Sequence, residues 1–425
     1  MKLLLTGATG FIGRRLLAAL LNQGHEVVCA GRRPAGQGAA WVAMDLAQAP
    51  PAVAWLPHLR GVDAVVNLVG IFRESATQHF DALHARGPIA LFDACVQAGV
   101  PRVVQLSALG ADAQAATPYH LSKRQADEHL LGLPLHATVV QPSLVFGEDG
   151  PSAALFLRLA TLPLLPLPAG GRQLLQPVHV DDVVAALLAL LQAPAGSSQG
   201  RIPLVGPRAL TLAAYVHALR RALNLPRAAA FPVPAACVAL AARMGDRWPG
   251  AWLDSASWQM LQRGNSADPA AITALLGHPP REVQQFLAPE RAAGLRTAAA
   301  WGWLQPLLRL SLAAVWLATA AVSFGLYPVP QSLELLARAG VPQALQLPAL
   351  YGAAALDLAL GIATLLPLPG RRRRWLWLAQ AALIGGYSVI ISLRLPEFWL
   401  HPYGPMTKNL PILALLLMLY SLEED

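Results

Sequence analysis

Hydrophobic positions divide the chain into two parts with different patterns. Before residue 300, short apolar runs alternate with amphipathic stretches and are interrupted by glycine, proline and arginine. After Trp301 the apolar runs become long, and three of them approach or exceed the ~18 residues that suggest a membrane span. These three runs are 310–328, 349–368 and 375–393. The pattern therefore predicts an α/β domain over 1–290 and an all-α membrane domain over 303–425.

Strand patterns and helix patterns alternate along the first part. The strand-like runs are 2–6, 26–30, 64–69, 103–106 and 137–140, and the helical runs are 16–21, 89–98, 183–191 and 210–223. This alternation predicts a Rossmann-type doubly wound parallel sheet with right-handed crossovers, followed by a small substrate lobe. The proline-punctuated stretch 151–168 is either a hydrophobic lid or a helix packed on that lobe. Residues 288–300 connect the two domains.

A fourth apolar stretch, 410–422, is shorter than the others and spans a membrane only if 407–411 is included. The run Arg371 to Arg374 lies between the second and third spans, where the positive-inside rule predicts a cytoplasmic loop. Four spans then place the N-terminal domain and the end Glu423-Glu424-Asp425 in the cytoplasm. The sequence thus predicts a multi-pass protein of the inner membrane, with the lipid bilayer as a partner.

Composition supports the membrane assignment and excludes several other classes. Hydrophobic residues make up 55% of the 425 residues and charged residues 13%, and the mean hydropathy is +0.44. The net charge of +8 comes from scattered arginines without aromatic interleaving, so no nucleic-acid partner is expected. Three cysteines without ligand spacing predict no metal site. The apolar run at Met1–Leu5 is too short for a cleaved signal peptide.

A glycine-rich loop joins the first strand to the first helix. It supplies Gly7, Thr9, Gly10, Phe11, Ile12 and Gly13. Gly7 permits a tight turn, Gly10 lets the backbone approach a pyrophosphate, and Gly13 lets the helix pack closely on the strand. The helix N-terminus adds amide donors and a positive dipole. The loop therefore predicts a dinucleotide site.

The end of the second strand indicates which dinucleotide binds. Arg32 and Arg33 follow that strand, and no acidic residue lies nearby. An acid there would bind the ribose 2′-hydroxyl of NAD, whereas arginine accommodates the 2′-phosphate of NADP. NADP, as NADPH, is therefore favoured, and NAD is the alternative if the arginines are only a solvated surface pair.

Ser107, Tyr119 and Lys123 form the predicted catalytic group. Tyrosine and lysine four residues apart on a helix share one face, so the ammonium can lower the pKa of the phenol and reach the cofactor ribose. Ser107, at the end of a strand, would hold the substrate oxygen. Of the 32 basic residues only Lys2, Lys123 and Lys408 are lysines, so position 123 departs from a strong preference for arginine. The alternative is an ordinary exposed helix pair.

With these motifs, the first 290 residues resemble the extended and atypical short-chain dehydrogenase/reductases. The resemblance implies cofactor contacts from further segments, namely Asp45-Leu46, Asn67-Leu68-Val69-Gly70, and Pro142-Ser143 within the turn 141–147. Gln141 replaces the arginine common in the family. The segments 67–71, 107–111 and 176–182 are most similar to the branch that contains the NADPH-carrying accessory subunit of respiratory complex I. The last 125 residues resemble DoxX-like four-helix membrane domains, including a polar elbow at 401–409.

These features together favour a membrane-anchored NAD(P)-dependent oxidoreductase that acts on a carbonyl or alcohol of a hydrophobic, lipid or quinone-related substrate. The first alternative is a non-catalytic NADPH-binding assembly or sensor module with a membrane protein partner, because the resembled branch includes members without known turnover. The second is a sugar-nucleotide epimerase, which needs no membrane domain.

Two further polar features have open roles. His179 and Asp181-Asp182 lie at a strand-to-helix junction, where they are expected to cap the helix rather than act in catalysis. Asp357 lies inside the second span, where an ionisable group is costly. It is either a functional site or a group neutralised by Lys408 or Arg394.

Overall fold

The chain folds into two compact units, Met1–Ala299 and Ala300–Asp425. The structure, a computed structural model, describes residues 1–36, 38–194, 199–248, 251, 253–402 and 404–423. Tyr403 of the predicted elbow and the terminal Glu424 and Asp425 lie outside the described residues.

The strands of the first unit are short, and most of them belong to one sheet. In chain order they are β1 (Lys2–Thr6), β2 (Glu26–Gly31), β3 (Ala40–Ala43), β4 (Ala64–Asn67), β5 (Arg102–Leu106), β6 (His136–Pro142), β7 (Val145–Phe146), β8 (Leu164–Pro168), β9 (Leu174–Leu175), β10 (Val178–His179), β11 (Gly200–Leu204), β12 (Leu210–Thr211) and β13 (Ala229–Val233). The main sheet has seven strands in the order β11-β6-β5-β4-β1-β2-β3, and all of its pairs are parallel. The predicted doubly wound sheet is therefore confirmed.

The helices of the first unit are α1 (Gly13–Asn22), α2 (Ala52–Trp55), α3 (Gly87–Ala98), α4 (Pro118–Leu131), α5 (Pro151–Thr161), α6 (Val180–Gln192), α7 (Leu212–Ala222), α8 (Ala235–Gly245), α9 (Ser255–Arg263) and α10 (Ala270–Leu276). Helix α3 follows a π-helical segment, Asp81–Arg86, and stops at Gly99, whose φ of 70° is left-handed. Glycine adopts that conformation without a Cβ clash, so the chain turns there into β5.

Apolar layers cover both faces of the sheet, which explains why its central strands are apolar along their whole length. One layer packs α1, α6 and α10 against the sheet, and its members include Leu16, Leu187 and Ile272. The other layer packs α2, α3 and α4 against the opposite face of the sheet, and its members include Trp55 and Phe92. The strand order reverses between β1 and β4, and crevices at such reversals are where open α/β sheets bind ligands.

A third apolar cluster holds the smaller lobe together. The stretch 151–168 contributes α5 and β8 to it, and α5 buries Ala153, Leu157 and Ala160 on one face. The helix therefore packs on the lobe, as the second of the two sequence interpretations proposes. Its neighbour in the cluster is α7, which buries Tyr215 against Phe156.

The second unit is helical. Its helices are α11 (Ala292–Ala321, which begins in the first unit), α12 (Val329–Arg338), α13 (Gln343–Leu365), α14 (Gly370–Arg394) and α15 (Asn409–Ser421), and a π-helical segment, Val322–Leu326, follows α11. Three helical stretches, 289–326, 343–365 and 370–394, are long and apolar enough to cross a membrane. Helix α15 has 13 residues, about 20 Å against a hydrocarbon core of about 30 Å. The fourth span therefore stays a prediction.

The prediction that Arg371 to Arg374 form a loop is wrong. Helix α14 begins at Gly370, so Arg371 to Arg374 form its first turn, because arginine is a good helix former. Arg373 and Trp377 both donate to the carboxylate of Glu423, and Arg374 donates to the Glu423 carbonyl at 2.6 Å. The arginine end of α14 therefore binds the C-terminal end of α15.

Polar side chains also link the long helices internally. Trp316 Nε1 donates to Gln380 Oε1 at 2.8 Å, and Gln380 Nε2 donates to Thr364 Oγ1 at 2.8 Å, so α11, α14 and α13 share one hydrogen-bonded chain. Asp357 is 4% exposed, and its Oδ1 has no hydrogen-bond partner in the described part of the chain. The predicted neutralisation by Lys408 or Arg394 is not found among those residues.

Candidate functional site: a nucleotide crevice with a buried serine, lysine and aspartate

The glycine loop and the end of β4 meet at the sheet reversal. A Cβ on Gly7 would lie 2.8 Å from the Leu68 carbonyl carbon, and φ at Gly7 is +72°. A Cβ on Gly13 would lie 2.0 Å from the Gly7 oxygen, so α1 starts directly against the loop. Ile12 precedes α1 and gives it no side-chain cap. The Arg14 amide donates to the Gly10 carbonyl at 3.0 Å and the Arg15 amide to the Ile12 carbonyl at 3.1 Å, so α1 continues directly from the loop. The close glycine backbone and the positive end of the helix dipole fit a dinucleotide.

The floor of this crevice is a chain of polar side chains across three neighbouring strands. Thr6 Oγ1 donates to Asn67 Oδ1, and Asn67 Nδ2 donates to Gln105 Oε1 at 2.6 Å. All three residues are fully buried and lie side by side in the parallel register of β1, β4 and β5. Asn67 Oδ1 also accepts from the Val69 amide at 3.4 Å, which holds the start of the 67–70 segment.

Lys123 reaches from α4 to the ends of two strands. Its Nζ donates to the Val69 carbonyl at 3.2 Å and to the Leu106 carbonyl at 3.0 Å, one residue before Ser107. A Cβ on Gly70 would lie 2.9 Å from Nζ, so a larger residue there would displace the ammonium from its present position. The structure therefore places Lys123 between the predicted cofactor segment and the predicted catalytic serine.

Ser107 has a partner that the sequence reasoning missed. Its Oγ donates to Asp127 Oδ2, and Asp127 is completely buried on α4. Burial raises the pKa of the Asp127 carboxyl to about 6, against the opposing effects of the Ser107 hydrogen bond and the Lys123 charge. Asp127 follows Lys123 by four residues, so their shared helix face was a usable sequence signal. Because Asp127 accepts a hydrogen bond from the Ser107 hydroxyl, its protonation state determines whether Ser107 donates to Asp127 or to a ligand in the crevice.

Tyr119 lies half-buried among rings at the start of α4. Its ring centroid is 5.3 Å from that of Phe72, 5.9 Å from that of Phe80 and 5.5 Å from that of His84. Burial and the Asp127 charge raise the pKa of Tyr119 to about 12. The sequence predicted a lowered Tyr119 pKa, and this is wrong for the structure, because Lys123 is itself buried and binds backbone carbonyls. Burial lowers the pKa of Lys123 to about 8.

His84 connects the 67–71 segment to α4 and was also missed. The Ile71 amide donates to His84 Nε2 at 2.9 Å, so the proton is on Nδ1, which lies 3.0 Å from Ser122 Oγ. Ser122 in turn donates to the Tyr119 carbonyl at 2.9 Å. Burial and the Lys123 charge lower the pKa of His84 to about 2, so the ring stays neutral. No sequence spacing pointed to this residue, which comes from the π-helical segment before α3.

The other residues predicted to contact the cofactor differ in burial and in their hydrogen-bond partners. Asp45 caps a 3₁₀ turn by accepting from the Ala47 amide at 3.0 Å, while Leu46 is buried in the core. Pro142 ends β6, and its carbonyl accepts from the Leu109 amide at 3.0 Å, which ties it to the loop after Ser107. Ser143 donates to the Gln176 carbonyl.

The loop residues Thr9 and Phe11 and the two arginines after β2 complete the predicted set. The edge of the Phe11 ring lies against Gly147, where a Cβ would be 2.7 Å from Phe11 Cζ. Arg32 and Arg33 are exposed just beyond β2, and Thr9 is exposed in the loop. The arginines therefore follow the end of β2, as the sequence predicted, and their role in binding a nucleotide stays a prediction.

His179 and Asp182 have structural contacts. His179 precedes α6, and its Nδ1 accepts from the Asp181 amide at 3.3 Å. Asp182 is buried and binds the Arg281 guanidinium at 3.0 Å. Both residues therefore cap and anchor α6, in agreement with the structural interpretation. A cavity of about 590 Å³ opens beside them and is lined by none of the predicted site residues.

Comparison with known proteins agrees with this geometry. Residues 3–206 match the NAD dependent epimerase/dehydratase family, and residues 313–417 match the DoxX-like family. The mitochondrial NADH dehydrogenase (ubiquinone) 1 alpha subcomplex subunit 9 of Arabidopsis thaliana is 32% identical over 54% of this chain and 60% of its own length. The ceramide reductase of Caulobacter vibrioides is 28% identical over 45% of this chain and 61% of its own. The chain thus spans about three fifths of these two relatives.

Solved structures show the same fold for the N-terminal part. A nucleoside-diphosphate-sugar epimerase from Staphylococcus aureus superposes with a TM-score of 0.56 at 18% identity, over 67% of this chain and 99% of that one. MoeE5 in complex with UDP-glucose and NAD gives 0.51 at 24% identity, over 71% and 98%.

Proposed function

From an epimerase/dehydratase-type domain joined to a DoxX-like domain, we propose a membrane-anchored NAD(P)-dependent oxidoreductase that reduces the carbonyl of a hydrophobic substrate. The observation that carries this proposal is the position of Lys123. Its ammonium lies between the carbonyls of Val69 and Leu106, beside Gly70 and Ser107. A helix that only packed on the sheet would not need a buried lysine there, since burying an ammonium is costly.

The crevice fits a nicotinamide dinucleotide through the residues already described. The loop Gly7 to Gly13 and the uncapped start of α1 would hold its pyrophosphate, and Lys123 would hold ribose hydroxyls. When bound, the cofactor supplies the hydride. Arg32 and Arg33 support NADPH as the preferred form, because their guanidinium groups suit a 2′-phosphate.

Tyr119 is the proposed proton donor in the reductive direction. With a pKa of about 12 the phenol stays protonated at neutral pH, which suits a group that must give a proton to a developing alkoxide. Lys123 is held by the Val69 and Leu106 carbonyls, so its proposed role is to bind the cofactor rather than to lower the pKa of the phenol. Ser107 orients the substrate oxygen, and Asp127 determines the direction of the Ser107 hydroxyl.

The surroundings of Tyr119 support a hydrophobic substrate. Phe72 is exposed beside the Tyr119 ring, and Phe80 forms an edge contact with it. The phenylalanine rings beside the Tyr119 phenol favour a hydrophobic substrate over a sugar nucleotide. A lipid carbonyl compound is the proposed class, and the bacterial relative that bears the name ceramide reductase supports it.

The runner-up is a nucleotide-binding module without turnover. One observation favours it: a relative is named as a subunit of NADH dehydrogenase. In that case NADPH would stabilise the fold while the helical unit contacts a membrane protein. For either function we propose the inner membrane, with the nucleotide domain in the cytoplasm.

Tyr119→Phe separates the two functions. The ring contacts with Phe72 and Phe80 remain, so NADPH binding measured by fluorescence should change by less than about twofold. Oxidation of NADPH by the full chain with membrane lipid extracts should fall about 10²- to 10⁴-fold, the usual contribution of a general acid.

Tyr215→Phe is the matched control, because it removes one oxygen from a buried tyrosine in the lobe core, away from the crevice. Its turnover should equal that of the parent. Equal turnover in Tyr119→Phe would contradict the catalytic role. If the parent binds NADPH but no extract oxidises it, the binding module becomes the better description.

A further inference from the structure

Helix α8 exposes an apolar surface that the fold of the first unit does not use. Among its 11 residues, only Val238 and Ala242 are buried. The exposed large side chains of this surface come from β13, α8 and the turn after α8. They are Phe231 (43% exposed), Leu240 (61%), Met244 (52%) and Trp248 (67%). We call these four residues the α8 patch.

Three members of the α8 patch, Leu240, Met244 and Trp248, are spaced for a common surface. Leu240 and Met244 are four residues apart, so they lie one above the other on the helix, and Trp248 continues the spacing into the turn. Large exposed apolar side chains on one helix face mark an interaction surface rather than ordinary surface scatter. We therefore expect a binding partner to cover the α8 patch.

Charge next to the patch indicates what the occupant is. Arg243 and Arg247 are exposed beside it, and Asp246, which accepts from the amide and hydroxyl of Ser255, interacts with both arginines, so the three residues leave a net charge of +1. Leucine, methionine and tryptophan flanked by arginines are typical of a helix that lies in the interface of a membrane with anionic lipid. The same chain carries three helical stretches long enough to cross a membrane, so a bilayer is the partner that the rest of the chain also favours.

We propose that the α8 patch docks on the surface of an anionic bilayer, with Leu240, Met244 and Trp248 inserted among the lipids and Arg243 and Arg247 on the headgroups. This contact is separate from the membrane spans, and it does not depend on turnover.

The patch is connected to the crevice by packed side chains. Val238 and Ala242, the buried face of α8, pack on Trp258 of α9. At the end of α9, Arg263 donates to the Gly110 carbonyl at 2.7 Å and binds the Asp112 carboxylate. Gly110 and Asp112 belong to the loop that follows Ser107. A lipid surface at α8 would therefore be linked to Ser107 through α9 and the loop that follows β5.

Spin labelling of the full chain tests the proposal. Cys29 and Cys95 are buried and Cys237 is exposed, so Cys237→Ser gives a background for one new label at Leu240→Cys. The protein is placed in nanodiscs of phosphatidylcholine with phosphatidylglycerol, and the accessibility of the label to oxygen and to a water-soluble nickel chelate is measured. We expect a several-fold higher oxygen-to-nickel ratio at position 240 than at the control Val53→Cys, an exposed apolar position on α2.

Charge reversal tests the headgroup contact. Arg243→Glu with Arg247→Glu should lower the ratio at position 240 toward that of the control, and discs of phosphatidylcholine alone should lower it in the parent. Equal ratios at positions 240 and 53 in anionic discs would overturn the proposal. Exclusion of both probes from position 240, unchanged by lipid composition, would overturn it in favour of a protein contact such as a second copy of the chain.

Discussion

The charge state of Asp127 should control how the stability of the first unit depends on pH. Asp127 is fully buried, and the pKa of its carboxyl is raised from 3.8 to about 6. A raised pKa means that the folded protein binds the proton more tightly than the unfolded chain. The stabilising contribution of the protonated form is therefore complete below about pH 4 and is lost as the pH rises through 6. Asp127→Asn removes this loss because the amide does not ionise.

The magnitude follows from the pKa difference of about 2 between the folded and unfolded states. At 1.36 kcal/mol per pKa unit this is about 3 kcal/mol, and the value already includes the opposing effects of Ser107 and Lys123. For a unit of this size, about 3 kcal/mol corresponds to a shift of roughly 5 °C or more in melting temperature. About 1 kcal/mol of this is already lost at pH 4.5, so the melting temperature of Asp127→Asn minus that of the parent should grow by the remaining part, about 2 kcal/mol or roughly 4 °C, between pH 4.5 and 7.5.

Differential scanning fluorimetry of the full chain in detergent measures this difference across the pH range. Glu128→Gln is the matched control, since Glu128 is the next residue on α4 and forms an exposed pair with Arg124. Its difference from the parent should show no rise with pH. A flat or falling difference for Asp127→Asn would refute the assignment of Asp127 as a carboxylate held in a dry site.

Two further predictions concern the cofactor and the membrane. Arg32→Ala with Arg33→Ala should lower the preference for NADPH over NADH at least about tenfold in paired titrations, the effect of losing one phosphate contact of about 1.4 kcal/mol; an unchanged ratio, or tighter NADH binding in the parent, would reject the NADPH assignment. In a cysteine-free background, Arg372→Cys in the exposed first turn of α14 should react with a membrane-impermeant thiol reagent only from the cytoplasmic side, and Gln331→Cys on α12 only from the opposite side. The reverse labelling pattern would invert the proposed topology.

Sequence reasoning predicted those parts of the site in which one local motif dictates the geometry. The strand, glycine loop and helix at the N-terminus are confirmed. A side chain at position 13 would clash with the Gly7 carbonyl, so the glycines of the motif indicate the close packing of loop and helix directly. Lys123 lies beside the 67–70 segment and Ser107 because the carboxyl ends of β4 and β5 are neighbours in the sheet order.

The missed features depend on contacts between distant segments. His84 enters the site through a π-helical segment, and hydrophobic periodicity does not distinguish such a segment from an ordinary helix. The pKa of Tyr119 was predicted in the wrong direction because the number of residues between two side chains says nothing about how much water each keeps. The arginine run was interpreted as a loop because charge was taken as a break between spans, although arginine continues a helix readily.

The polar chain beneath the crevice gives the binding floor a fixed direction. Asn67 accepts from Thr6 with its oxygen and donates to Gln105 with its nitrogen, so turning the amide over would lose both hydrogen bonds. Each link also lies between neighbouring strands, which ties the side chains to the register of the sheet. The three side chains are fully buried, so a ligand at this edge meets strand ends whose positions they hold fixed. Little ordering entropy then opposes association, and affinity depends mainly on the contacts the ligand itself brings.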